Sequence, residues 1–141
     1  MSGALESGRT RSASQSPWRK VSAFAPPLAY MALISWVSSL PLTLPFAGVP
    51  HRDKIVHVIE YGILGLLNAR ALRIGVPALR ASRALIGAAV LTAAFGYFDE
   101  LHQAFVPGRD ANVFDLLADV IGAVLGVAVY ALIDRPRRVV S

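Results

Sequence analysis

Two short stretches of an otherwise apolar chain hold most of the side chains that could do chemistry. The stretch 53–61 contains an acid, a base and a histidine in Asp53, Lys54 and His57. The stretch 96–119 holds a larger set of charged, imidazole and amide side chains: Asp99, Glu100, His102, Gln103, Arg109, Asp110, Asp115 and Asp119. Carboxylates accept hydrogen bonds, histidine exchanges protons near neutral pH, and arginine can clamp an anion. Such a set suits ligand binding or acid–base chemistry.

The spacing of these residues predicts that they lie on helices. Residues three or four positions apart share a helical face, and three polar faces follow from this spacing. Their members are Asp53, His57, Tyr61, Leu64 and Asn68; then Thr92, Gly96, Asp99 and Gln103; then Asp115, Asp119, Gly122 and Gly126. The pair Gly122 and Gly126 allows another helix to approach closely. Polar stripes on apolar helices indicate a bundle interior.

The composition of the chain indicates a membrane protein. Its 141 residues are 55% hydrophobic and 16% charged, with a mean hydropathy of +0.52. Soluble domains are about 45–50% apolar and about 25% charged. Cysteine is absent, which excludes disulfides and thiolate chemistry. The pI near 10.2 is explained by the cytoplasmic lysines and arginines of membrane proteins, so we predict no nucleic-acid partner.

The fold predicted from these patterns is an all-α integral membrane bundle of four transmembrane helices. A bilayer core needs about 20 apolar residues per helix. Four such spans fit, at about 27–44, 55–72, 84–105 and 113–133. We expect a disordered basic N-terminal tail at 1–20, a membrane domain at 21–134 and a basic C-terminal tail at 135–141. The oligomeric state is left open.

The distribution of positive charge predicts the orientation. Most basic residues fall before the first span, between the second and third spans, or after the fourth: Arg9, Arg11, Arg19, Lys20, Arg70, Arg73, Arg80, Arg83, Arg135, Arg137 and Arg138. Because positive loops stay in the cytoplasm, both termini are predicted to be cytoplasmic. At ~1.5 Å rise per residue, His57, Asp99 and Asp119 then converge in the outer half of the membrane.

Two interpretations of this convergence remain open. In the first, an outward-facing pocket is formed by Asp99, Asp115 and Asp119 as acceptors, His57 as a proton carrier and Arg109 at the rim. In the second, the same side chains form an interhelical network that only fixes helix register. The chain lacks a P-loop, a dinucleotide fingerprint, a nucleophile elbow and a zincin motif. A carboxylate–histidine metal site from three helices is geometrically allowed, but we predict no metal and no cofactor.

The polar residues form three motifs along the chain: Asp53-Lys-x-x-His57-x-x-x-Tyr61, then Asp99-Glu-x-x-Gln103-x-Phe-x-Pro-Gly-Arg109, then Asp115-x-x-x-Asp119-x-x-Gly122-x-x-x-Gly126. In this order and spacing they resemble the VanZ-like family, over about residues 35 to 130. The resemblance implies a small bacterial multi-pass protein of the cytoplasmic membrane. It also implies a polar set: Asp53, Lys54, His57, Tyr61, Asp99, Glu100, Gln103, Arg109 and Asp115. One position departs, because the family often has Asn where this chain has Asp119.

The family's namesake is associated with resistance to the glycopeptide teicoplanin, which suggests a cell-envelope role. Our main hypothesis is a pocket for an amphiphilic or lipid-linked envelope ligand. One alternative is a membrane enzyme acting on such a ligand, with His57 and an aspartate as an acid–base pair. Another is a structural or accessory subunit without activity of its own. Whether the chain is an enzyme is left open.

Overall fold

The described residues of this computed structural model, 17–40, 52–109 and 111–134 without the side chain of Arg52, form four α-helices. These are α1 (Pro17–Ser38), α2 (Arg52–Gly75), α3 (Ala81–Gln103) and α4 (Val113–Ile133). All four are long and apolar enough to cross a membrane, and the described ranges contain no strand. The predicted all-α bundle of four membrane helices is therefore confirmed. The expected tail over 1–16, the segment 41–51 and the C-terminal tail lie outside the described residues.

Helix α1 begins earlier than predicted, within the stretch 1–20 that we expected to be disordered. It starts at Pro17, which suits a first turn because the N–H that proline lacks would have no partner there. Pro26 and Pro27, at the predicted start of the first span, lie inside the helix. Membrane helices tolerate internal prolines because neighbouring groups and local adjustments satisfy the freed carbonyls. Helix α1 therefore begins 10 residues before the predicted start of the first span at 27.

The outside of the bundle is apolar, and its inside contains many small residues. Large side chains such as Ile86, Val90 and Leu132 are exposed. Ala84 and Ala88 are fully buried. In water an apolar exterior of this extent would cause association, whereas lipid tails solvate it. Small buried residues let membrane helices pack closely. The chain is accordingly a multi-pass membrane protein.

Helix α2 occupies the centre of the bundle. It contacts α1, α3 and α4, and its contact with α4 is the most extensive. Helix α1 packs on α2 and touches α3 slightly, and its described residues do not contact α4. A change in the position of α2 therefore affects every other helix.

Glycines bring the backbones of α2 and α4 into direct contact. A Cβ atom on Gly122 would lie 2.5 Å from the carbonyl oxygen of Val58, and one on Gly65 would lie 2.6 Å from that of Ala123. A Cβ atom on Gly126 would overlap the carbonyl oxygen of Gly62. Real Cβ atoms do not approach so closely. The contact therefore requires glycine on both helices.

Three side-chain pairs show that α2 and α4 run parallel in one fixed register. Lys54 binds Asp115, His57 lies 2.8 Å from Asp119, and Arg73 Nε donates to Asp134 Oδ2 at 2.8 Å. The sequence separations of these pairs are 61, 62 and 61 residues. A constant separation means that the helices neither cross steeply nor slip. At ~1.5 Å per residue, the register extends over most of the bilayer core.

Candidate functional site

The polar cluster is a group of nine side chains at the end of the bundle where α1 and α3 end and α2 and α4 begin. Its members come from all four helices: Ser38, Lys54, His57, Tyr61, Asp99, Glu100, Gln103, Asp115 and Asp119. Seven of the nine are buried, and Lys54 and His57 are half-buried. Asp53 lies at the rim with 58% of its side chain exposed. Apart from Asp53 and Arg109, all the predicted pocket residues therefore belong to this cluster.

Two pairs join α2 to α4 within the cluster. The Lys54 ammonium binds the Asp115 carboxylate and also Asp53 Oδ2, the latter at 2.8 Å. One turn deeper, His57 Nδ1 lies 2.8 Å from Asp119 Oδ1. An ionised carboxylate only accepts hydrogen bonds, so the ring nitrogen donates. Both pairs depend on the glycine contact, because the register it fixes aligns positions 54 and 57 with positions 115 and 119.

Asp99 connects α1 to α3. Its Oδ2 accepts hydrogen bonds from Ser38 Oγ and Gln103 Nε2, both at 2.8 Å. Gln103 is one helical turn along α3 from Asp99, which is the spacing at which side chains meet. Ser38 was not among the predicted pocket residues, although its hydroxyl binds an acid of the site.

Glu100 connects the end of α3 to the start of α4. Its Oε2 accepts from the backbone N–H of Asn112 at 2.9 Å. The Asn112 side chain caps α4 by accepting from the N–H of Phe114 at 2.9 Å. Sequence reasoning left the role of Glu100 open and missed Asn112, although an Asn directly before an apolar helix is a typical cap signal.

Tyr61 lies between the two halves of the cluster. It is fully buried, and its ring stacks parallel to His57 with centroids 6.3 Å apart. Its hydroxyl has no hydrogen-bond partner among the described residues. Gly96 leaves room for this arrangement, because a Cβ there would lie 3.0 Å from both Tyr61 Cε1 and Asp119 Oδ2. The parallel Tyr61 ring thus restricts the orientation of the His57 imidazole.

Arg109 does not reach the buried acids. Arg109 is the last residue of a turn. Its N–H donates to the Val106 carbonyl at 3.1 Å, and Gly108 takes a φ of 82°. Residues Val106-Pro-Gly-Arg109 of the second motif thus form a turn, with glycine where a positive φ is needed. The guanidinium donates to the carbonyls of Val37 at 3.0 Å and Leu40 at 3.4 Å. It therefore caps the end of α1.

A second serine–histidine contact lies at the surface of the same end. Ser39 Oγ is 2.9 Å from His102 Nε2, and both side chains are exposed. However, Ser39 Oγ donates its one hydrogen to the carbonyl of Ser35 at 2.6 Å. The histidine is then the donor of the other bond. The arrangement ties α1 to α3 and does not activate a nucleophile.

A groove of about 230 Å³ opens beside the polar cluster, between the end of α3 and the start of α4. Its lining is mostly apolar, with Glu100 and Asn112 as the polar members: Tyr97, Glu100, Leu101, Ala104, Ala111, Asn112, Val113 and Leu116. Several of these side chains are exposed on the outside of the bundle. The groove therefore joins the apolar exterior to a carboxylate of the cluster.

The sequence comparisons give one assignment. The VanZ/LLP1 family profile matches residues 4–134, which is nearly the whole chain and includes all four helices. No curated protein and no solved structure matches the chain. The family match agrees with the three motifs on which the resemblance was based. The chain belongs to the VanZ/LLP1 family.

Proposed function

We propose that this protein is a VanZ-like membrane protein of the bacterial cell envelope that binds an amphiphilic or lipid-linked ligand. The observation that carries the proposal is that Glu100 belongs both to the polar cluster and to the apolar groove. An amphiphile needs this combination, because its chain requires an apolar surface and its headgroup requires polar partners.

The charge of the cluster indicates which headgroup fits. Five carboxylates lie in or beside it: Asp53, Asp99, Glu100, Asp115 and Asp119. Among described side chains at this end, the fixed positive charges are Lys54, which is bound to two of the acids, and Arg109, which caps α1. Carboxylate oxygens accept hydrogen bonds. The favoured headgroup is therefore rich in hydroxyl or ammonium donors.

The proposed orientation of the bundle in the membrane follows from the distribution of its arginine residues. Arg70, Arg73, Arg80 and Arg83 lie at the end of the bundle opposite the polar cluster or in the connection there. The positive-inside rule assigns that end to the cytoplasm. The cluster and the groove then face the outer leaflet of the cytoplasmic membrane, where envelope intermediates are available.

Filling the groove tests the ligand proposal. We expect Ala104→Trp to weaken binding of a long-chain alkyl glucosaminide at least about tenfold, because the indole occupies the groove beside Glu100. The measurement is ligand-dependent thermal stabilisation of the purified protein in nanodiscs. Free glucosamine, which lacks the chain, should give no shift.

The matched control is Ala81→Trp, which places the same indole at the exposed start of α3, at the opposite end of that helix from the groove. It should bind the probe as the wild type does. Equal binding by both tryptophan variants, or no stabilisation of the wild type by the probe, would contradict the proposal.

The resistance role is tested in cells. We expect expression of the protein to lower susceptibility to teicoplanin, and we expect His57→Ala to abolish this effect at an unchanged protein level in the membrane. Asp134→Asn, at the other end of the bundle, is the control and should behave as the wild type. A wild type without effect on susceptibility would exclude the resistance role. Loss of the protein itself in His57→Ala would favour the purely structural network.

The pair of His57 and Asp119 favours one second candidate, a membrane enzyme acting on the same class of ligand. A histidine hydrogen-bonded to a buried carboxylate is a recurrent general base. The pair lies in the same cluster as Glu100 of the groove. Turnover of a lipid-linked substrate that His57→Ala abolishes, with probe binding retained, would distinguish this function from binding alone.

A further inference from the structure

Three potential metal ligands from three different helices converge inside the polar cluster. His57 on α2, Glu100 on α3 and Asp119 on α4 each offer one ligand atom, and these atoms all lie within 4.8 Å of one another. Tetrahedral ligands of one Zn²⁺ at ~2.0–2.2 Å lie about 3.3–3.6 Å apart, so the three atoms need to approach one another by at most about 1.5 Å. Small side-chain rotations are therefore enough to bring the three ligand atoms around a common ion.

Both carboxylates keep a free acceptor in a buried place. Glu100 is 6% exposed and Asp119 is 0% exposed. Glu100 Oε1 and Asp119 Oδ2 have no hydrogen-bond partner among the described residues. A buried carboxylate oxygen without a partner is costly. These two oxygens are therefore the acceptors that a cation would complete.

The nearby cations do not neutralise these two acids. Lys54 binds Asp53 and Asp115, and Glu100 forms no ion pair with a described residue. Asp119 has only His57 as an ionic partner in that part of the chain. Two closely spaced carboxylates in an apolar bundle repel each other strongly, so this location attracts a positive charge.

From these observations we infer that His57, Glu100 and Asp119 bind a divalent transition-metal ion of the Zn²⁺ or Mn²⁺ class. One imidazole nitrogen and two carboxylates are ligands that these ions share. Mg²⁺ and Ca²⁺ prefer oxygen ligands alone. This proposal replaces the prediction of no metal made from sequence, because the predicted convergence of His57, Asp99 and Asp119 did not include Glu100, which the structure places beside His57 and Asp119.

The surroundings of the three residues resemble the support that metal ligands require. Outer partners that orient ligands are part of a metal site. Here Asn112 donates its backbone N–H to Glu100 Oε2, and the Tyr61 ring lies parallel to the His57 ring with centroids 6.3 Å apart. The glycine contact fixes His57 relative to Asp119. An ion would take the place of the proton that these two now share.

Three protein ligands leave coordination positions open, as in catalytic rather than structural metal sites. Glu100 also lines the groove. An oxygen of a headgroup bound in the groove would therefore have access to the ion. This last step rests on the proposed function, whereas binding of the ion does not.

The test measures metal binding by the full chain in nanodiscs without any added lipid ligand. After treatment with EDTA, the protein is titrated calorimetrically with Zn²⁺ and with Mn²⁺, and Mg²⁺ serves as the comparison ion. We expect one ion per chain, with Zn²⁺ or Mn²⁺ bound more tightly than Mg²⁺. Glu100→Gln and Asp119→Asn should each weaken binding at least about tenfold, since even outer partners contribute 10–100-fold.

Asp134→Asn is the control, because it removes one carboxylate far from the three ligands, and it should bind as the wild type does. Co²⁺ gives a second measurement that needs no variant. Visible absorption should show that Co²⁺ is coordinated by the protein. Electron–nuclear double resonance should detect a histidine nitrogen bound to the Co²⁺. A wild type that binds no ion, undiminished binding in both ligand variants, or Co²⁺ without a nitrogen ligand would overturn the inference.

Discussion

Gly126→Ala should prevent stable assembly of the bundle, although the substitution adds one methyl group. The added Cβ would overlap the carbonyl oxygen of Gly62, which is backbone and cannot rotate away. Helices α2 and α4 would have to separate, and this contact is the most extensive in the protein. Overpacking alone costs about 1–3 kcal/mol, and the loss of both ionic pairs of the cluster adds to it. We expect a large decrease in the amount of protein in the membrane, and a large decrease in thermal stability of the purified protein in detergent.

Gly87→Ala is the matched control for this substitution. Its Cβ would make an ordinary contact of 3.4 Å with a Leu72 methyl group. Alanine is a better helix former than glycine by about 1 kcal/mol, so this variant should be as stable as the wild type or more stable. Equal stability of the two variants would show that α2 and α4 are not in backbone contact at Gly62.

Lys54→Met should destabilise the protein by about 1–3 kcal/mol, between the values for exposed and for fully buried ion pairs, because the Lys54–Asp115 pair is partly exposed. The carboxylate of Asp115 is only 12% exposed and would lose its cation. The measurement is the free energy of unfolding in mixed micelles. Methionine retains most of the apolar volume of lysine, which limits the effect to charge.

The double variant Lys54→Met with Asp115→Asn provides the decisive comparison. Removing both charges leaves no unpaired ion, so the double variant should recover most of the lost stability. Additive losses in the two single variants and the double variant would mean that the two side chains do not interact. A ligand-binding role for Asp115 would appear separately, as lost binding in a stable double variant.

The sequence was sufficient to predict the fold class and most members of the polar cluster. Long apolar segments with charged connections predict membrane helices whatever their packing, and the spacing of Asp115, Asp119, Gly122 and Gly126 predicted one shared face. These inferences need only one helix at a time. They succeed because the membrane constrains each helix separately.

The features that sequence reasoning missed all depend on which helix faces which. The sequence does not show that Gly62 and Gly65 are needed for close packing, because this depends on their contact with the backbone of α4. Arg109 was expected at the rim of a pocket, but the free carbonyls at the end of α1 are nearer partners for it. Glu100 lies beside the polar stripe of α3 and is directed by the N–H of Asn112. Such pairings require a tertiary arrangement.

The parallel pairing of α2 and α4 has a consequence for the biogenesis of the protein. Helix α2 is made second, but its main partner is made last, after α3. At ~5–20 residues per second, the ribosome needs roughly 3–12 s from Gly75 to Ile133. During this time Lys54 and His57 have neither Asp115 nor Asp119 as a partner, and α2 is the least apolar of the four spans. The central helix of the finished protein thus gains its most extensive helix contact only after the last span has been made.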